Sequence, residues 1–132
     1  MNDIKWIYMI NNRGTLVLIY KNTNQGAIEP NYSILSHFIF ALQSVAGKFE
    51  EDEVKVIEIE NENFFMIEEK LSNSFFILKS DNGVSPKKIY PILRGIKNKF
   101  TERFSGNENL NLHQKQELFK SFKKEINEFT NF

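Results

Sequence analysis

Two apolar runs separated by a four-residue turn open the chain, and no other feature restricts its fold as much. Ile4-Lys5-Trp6-Ile7-Tyr8-Met9-Ile10 is rich in β-branched and aromatic residues, and Thr15-Leu16-Val17-Leu18-Ile19-Tyr20 is a second such run. Between them, Asn11-Asn12-Arg13-Gly14 combines Asn, whose side chain bonds nearby backbone, with Gly, which tolerates a positive φ. The pattern predicts two strands joined by a tight hairpin.

A polar stretch over residues 22–31 follows, and Pro30 disfavours helix just before it. From about Tyr32 to Phe49 the apolar period becomes helical. Ile34, Leu35, Phe38, Ile39, Ala41, Leu42, Val45, Ala46 and Phe49 share one broad side, and Gly47 suits a C-terminal cap. Opposite that stripe lie Ser33, Ser36, His37, Phe40, Gln43, Ser44 and Gly47. Small residues there let another backbone approach closely, and Phe40 would anchor a partner.

Three further strands are expected. Glu53–Glu60 alternates apolar and charged residues, with a phase slip between Val56 and Ile57 that a bulge or double burial would explain. Asn61-Glu62-Asn63 reads as a turn, and Phe64–Ile67 as a strand extending toward Lys70. Leu71-Ser72-Asn73 turns again into Ser74–Lys79. Turns this short make the three strands an antiparallel meander. Ser85-Pro86 then starts a helix, with Ser as N-cap and Pro at the first helical position. Its apolar positions are Ile89, Leu93, Ile96, Phe100 and Phe104, and Pro91 sits in its second turn. A last helix, about Leu112 to Phe129, carries Leu112, Phe119, Phe122, Ile126 and Phe129 on one side.

The order is ββ-α-βββ-α-α in a single domain over residues 1–132. The first two strands and the last are nearly continuous apolar runs, which need cover on both faces. The expected architecture is therefore α+β: a five-stranded antiparallel sheet with the first helix on one face and the last two on the other.

Composition narrows the function. Seventeen basic and seventeen acidic residues cancel, so bulk charge does not favour a nucleic-acid partner. The absence of Cys excludes disulfides, thiolate metal sites and Cys nucleophiles. No apolar run reaches the roughly 18 residues of a membrane span. Met1-Asn2-Asp3 lacks a basic signal-peptide start, so a cytoplasmic location is expected. His37 and His113 have no ligand-spaced partner, and no Gly-rich phosphate loop is present. The expectation is a protein without catalytic residues, metal or cofactor. Residues 50–69 hold nine acids and one Lys, Lys55, and Glu50-Glu51-Asp52-Glu53 reads as a solvated loop. Residues 86–104 hold Lys87, Lys88, Arg94, Lys97, Lys99 and Arg103 against one acid, Glu102. These bases flank both sides of the apolar stripe, as on a solvated amphipathic helix.

Ile4–Tyr20, an apolar strand, an Asn-x-x-Gly turn and a second apolar strand, resembles the opening hairpin of the small and medium subunits of clathrin adaptors. Gly14-Thr15-Leu16-Val17-Leu18 also resembles the start of the longin domain in the signal recognition particle receptor α subunit, which similarly ends in two helices. Over essentially its whole length the chain is similar in layout to longin domains, in the wider profilin-like group. That resemblance implies a stand-alone protein-interaction module, a scaffold or adaptor subunit in a trafficking-type or small-GTPase-regulating complex. It implies that the second strand lies at a sheet edge and pairs, together with the outer face of the first helix. The implied partner-binding residues are Leu16, Leu18, Tyr20, Ser36, His37, Phe40, Gln43 and Ser44. The implied partners are a second copy or another longin- or roadblock-type protein, a small Ras-like GTPase, and a membrane reached peripherally through a complex. The other class to weigh is a small-ligand sensor or enzyme on a PAS- or GAF-like sheet, which needs a cavity with convergent polar groups.

Overall fold

The computed structural model describes residues 4–11, 13–21, 40, 44, 48–59, 62–81, 83–107 and 109–130. The strands are β1 (Ile4–Asn11), β2 (Leu16–Lys21), β3 (Val54–Ile59), β4 (Glu62–Glu69) and β5 (Ser74–Ser80). The helices that follow are α1 (Pro86–Phe104) and α2 (Leu112–Thr130). All four strand pairings are antiparallel, and the sheet order is β2-β1-β5-β4-β3. The architecture is thus α+β, with an antiparallel sheet.

Two apolar layers lie on the two faces of this sheet. One contains Ile7, Met9, Phe65, Ile67, Phe76 and Leu78 from the strands, packed with Ile89, Leu93, Ile96, Phe100 and Phe104 of α1 and Phe122 and Ile126 of α2. Both helices therefore cover the same face. The other layer contains Trp6, Tyr8, Ile10, Phe64, Met66, Phe75 and Ile77, joined by Phe49. Neighbouring residues on a strand point to opposite faces. Double burial thus explains why β1 and β5 read as unbroken apolar runs instead of alternating ones. Within the helical layer Phe100 is the hub. Its ring meets Phe76 edge-on at 5.5 Å and Phe122 edge-on at 5.2 Å, and stacks with Phe104 and Phe119 at 5.5 and 6.0 Å.

Several boundaries differ from the sequence expectation. Glu62 and Asn63 belong to β4, where they pair with Ile59 and Glu58, and not to the expected turn Asn61–Asn63. β3 runs against β4 without a bulge, although Val56 and Ile57 break its alternation. Val56 is not doubly buried either: it is 44% exposed on β3, the last strand of the sheet among the described residues. The register shifts lie in β1, between Ile4 and Trp6 against β5 and between Met9 and Ile10 against β2. The first of these sends Ile4 and Trp6 to opposite layers although they are two residues apart. Ser85 occupies the N-cap position of α1, but its side chain makes no capping hydrogen bond. The helix runs through Pro91 without a break. Near the N-terminus a proline forfeits only one backbone bond, and here it lies on the exposed side. The expected helix over residues 32–49 lies outside the described residues except for Phe40 and Ser44, both helical, and Lys48 and Phe49, which are no longer helical, so the helix ends before Lys48; Phe49 is buried. The side chains of Leu112 and Phe129 also lie outside them.

Replacing Phe100 with Ala should lower unfolding free energy by about 3–5 kcal/mol, the usual range for emptying a buried aromatic site. Urea titration measures it; a loss under about 1 kcal/mol would mean that the ring does not hold the two helices on the sheet.

Candidate functional site

The hairpin that presents β2 is held by Asn11. Its Oδ1 accepts hydrogen bonds from the backbone N–H groups of Arg13 and Thr15, both at 2.9 Å. Gly14 N donates to the Asn11 carbonyl at 3.0 Å, and Gly14 adopts a left-handed φ of 81°. Among the described residues β2 pairs with β1 alone, which leaves its other side as a sheet edge. Such an edge offers unpaired N–H and C=O groups to a second strand.

The edge is not regular. Met9 lies opposite Leu18, but Ile10 lies opposite Leu16, so Val17 is the extra residue of a bulge. Regular alternation would put Leu16, Leu18 and Tyr20 on one face. Instead Leu16 and Ile19 pack against the Trp6–Tyr8 layer, whereas Tyr20 is buried in the helical layer. Leu18 is placed by register only, opposite Met9. A six-residue apolar run carries no alternation, so its sequence left no mark of the bulge. What the three residues share is therefore the backbone edge and not a side-chain face.

Phe40 and Ser44 are helical and exposed, Phe40 at 73%. Four residues apart, they lie on one helical face. Ser36, His37 and Gln43 lie outside the described residues.

The charged segments, read separately in the sequence, meet in space. Lys97 of α1 is only 4% exposed. Its Nζ lies 2.5 Å from Asp52 Oδ1 and 3.3 Å from Glu51 Oε1. Arg94 Nε donates to the Asp52 carbonyl at 2.8 Å, and the Arg94 guanidinium lies over the Tyr90 ring. Glu53 N donates to the Glu50 carbonyl, and Glu50 N donates back to Glu53 Oε1 at 3.0 Å. The acidic run is thus a folded turn that touches α1 through Asp52 and Glu51, while its carboxylates stay largely open to solvent, as the sequence led one to expect. Burial pushes the Lys97 ammonium down, but hydrogen bonds and charge from Asp52 and Glu51 outweigh it and hold it above the usual lysine range. A second polar knot ties β4 to α1. Glu69, itself buried, accepts from Thr101 Oγ1 at 2.5 Å and from the N–H and hydroxyl of Ser72 at 2.8 and 2.9 Å. The sequence missed both knots because their partners lie some 30–45 residues apart and carry no shared spacing.

A cleft of about 130 Å³ opens where β4 begins and β5 ends near the start of α1, lined by Glu62, Asn63, Phe65, Lys79, Val84 and Pro86 among others. Burial pushes Lys79 below the usual lysine range despite Glu62 at 3.9 Å. Small-molecule sites commonly occupy about 300–1,000 Å³, so this cleft is small for a ligand. Among the described residues no group of three or more His, Asp or Glu could hold a metal ion, and His113 is exposed. No helix among them is long and apolar enough to cross a membrane. No protein-family model matches the sequence, and no curated protein matches it.

The Arg103–Glu125 pair, which ties α1 to α2, predicts a pH dependence. Arg103 Nε donates to Glu125 Oε1 at 3.0 Å, and its hydrogen bonds and charge hold the Glu125 carboxyl below the usual glutamate range. A folded-state pKa below the unfolded one contributes stability above the ordinary glutamate range, which is lost as pH falls through the depressed value. Glu125→Gln should therefore unfold at lower urea than the parent near pH 6, by under about 1 kcal/mol for a pair this open to solvent. The gap should narrow as pH falls below the ordinary glutamate range. A gap unchanged by acid would place its origin elsewhere.

Proposed function

We propose that the chain is a longin-type protein-interaction module, which pairs through the edge of β2 and the helical face bearing Phe40 and Ser44. The observation that carries the reading is Phe40, a large aromatic ring standing 73% exposed. Supporting it are the unpaired edge of β2 among the described residues and the two C-terminal helices on one face of a β2-β1-β5-β4-β3 sheet. This layout is compatible with the longin resemblance of the sequence. Isolated exposed aromatics are common on surfaces, but one beside a small serine at helical spacing forms a surface on which a partner backbone can pack.

The proposed pairing is with a second copy or a related longin- or roadblock-type chain, and the proposed further partner is a small Ras-like GTPase. The GTPase comes from the resemblance alone. Membrane association would follow only through such a complex, from a cytoplasmic location. An interface of about 1,600 Å² in total would suffice for specific binding.

Light scattering on the parent and on Phe40→Asp tests the first step. The parent should self-associate at micromolar concentration. The variant should dissociate more readily by about 30-fold or more, the loss of an anchor worth about 2 kcal/mol. A parent that stays monomeric at high micromolar concentration rules out the homodimer, and an unchanged dimer in the variant rules out this face.

Titration against small GTPases in both nucleotide states tests the second step. Binding that prefers one state is expected, and no binding to any of them removes this partner.

A further inference from the structure

None of the described side chains of β3 is buried. Val54, Lys55 and Ile57 are half-buried, Val56 and Glu58 are exposed, and among the described residues the strand pairs with β4 alone. The strand beneath it is different. Phe64, Phe65, Met66 and Ile67 of β4 are buried in succession, Phe64 and Met66 in one apolar layer and Phe65 and Ile67 in the other. Without β3, β4 would present unpaired N–H and C=O groups along a strand that is apolar on both faces, the kind of edge that pairs with another chain. β3, with Lys55 and Glu58, is the safer outer strand.

Little apolar burial holds β3, so its two ends matter. Two residues separate its C-terminal end from β4. Its N-terminal end continues from the acidic turn, and Asp52 stands two residues before Val54. There α1 takes hold of the chain: Lys97 Nζ lies 2.5 Å from Asp52 Oδ1, and Arg94 Nε donates to the Asp52 carbonyl at 2.8 Å. Asp52 has a left-handed φ of 59°. Such a conformation is uncommon for a residue with a side chain and persists where surrounding contacts enforce it.

The contact is asymmetric. Lys97 is 4% exposed, whereas the side chains of Asp52 and Glu51 are 44% and 74% exposed. If the turn left α1, its carboxylates would pass easily into water, but the buried ammonium would lose its counter-charges. The ammonium is therefore what makes release of the turn unfavourable.

We propose that Lys97 latches β3: by holding Asp52, α1 keeps the outer strand closed over β4, and loss of the contact lets residues 50–59 open as one unit. Lys97 is a positioning residue, acting on β3 through Asp52. The latch does not depend on the interaction-module reading, which concerns β2 and Phe40.

Hydrogen exchange on the full chain tests it. In Lys97→Met the turn loses its partner and no buried charge is left behind. Amides over residues 53–59 should exchange about tenfold faster. Amides of β4 bonded to β3 should accelerate with them, while those bonded to β5 and the amides of β1 keep their protection. Arg103→Met removes a different ion pair of α1, to Glu125, and should leave residues 53–59 unchanged. Unchanged exchange over residues 54–59 in Lys97→Met overturns the proposal, and so does equal acceleration in both variants. Equal acceleration across β1, β3, β4 and β5 in Lys97→Met also overturns it, because the lysine then supports the whole sheet. If Lys97→Met does not fold, Asp52→Asn is read by the same criteria, because Asn tolerates the left-handed φ and removes only the charge.

Discussion

Seven consecutive residues of β5, Ser74 to Ser80, are buried. Phe76 and Leu78 enter the helical layer, and Phe75 and Ile77 enter the opposite one. A strand buried on both faces can satisfy its backbone groups only between two other strands, because buried N–H and C=O groups need partners. β5 accordingly pairs with β1 on one side and β4 on the other. With β5 central, β2 and β3 are the outer strands among the described residues, and β5 gives α1 and α2 an apolar surface to cover. Phe76 is where this surface meets the helices, through Phe100 and Phe122.

Around that apolar frame, polar contacts decide how the connecting segments lie. The Glu69 network fixes the turn after β4 to α1, and Lys97 with Arg94 fixes the acidic turn to the same helix. Each has one buried member, Glu69 in the first and Lys97 in the second. A buried, hydrogen-bonded charge is costly to disrupt, because the buried group is left without water or counter-charge. α1 is thus an apolar lid on one flank and a polar clamp on the other. The exposed features, Phe40 and the edge of β2, lie outside this frame.

Strong local signals survived the step from sequence to structure where the physics was local. Asn11 and Gly14 made the hairpin because side-chain and backbone bonds within five residues suffice to close it. The stripe Ile89, Leu93, Ile96, Phe100 and Phe104 became the buried face of α1 because helical period and burial coincide. Inference failed where two outcomes share one sequence pattern. An apolar run such as Thr15–Tyr20 does not reveal which residue a bulge inserts, so Leu16 and Tyr20 landed on opposite faces. The slip at Val56 and Ile57 needed no bulge once β3 was an edge. Acidic residues in a solvated loop carry no mark of the base they meet, and only the fold brings Lys97 to Glu51 and Asp52.

The sequence by itself determined the five strands, the two C-terminal helices and their order among the described residues, and the burial of strands such as β1 and β5 on both faces of an antiparallel sheet. These follow from periodicity, turn chemistry and the length of apolar runs, each readable within a few residues. Only the tertiary structure decided the position of the bulge at Val17, the exposure of Val56, and the joining of the acidic turn to α1. Those depend on which strand becomes an edge and on pairing across some 45 residues, where attraction between charges acts through space and leaves no spacing in the chain.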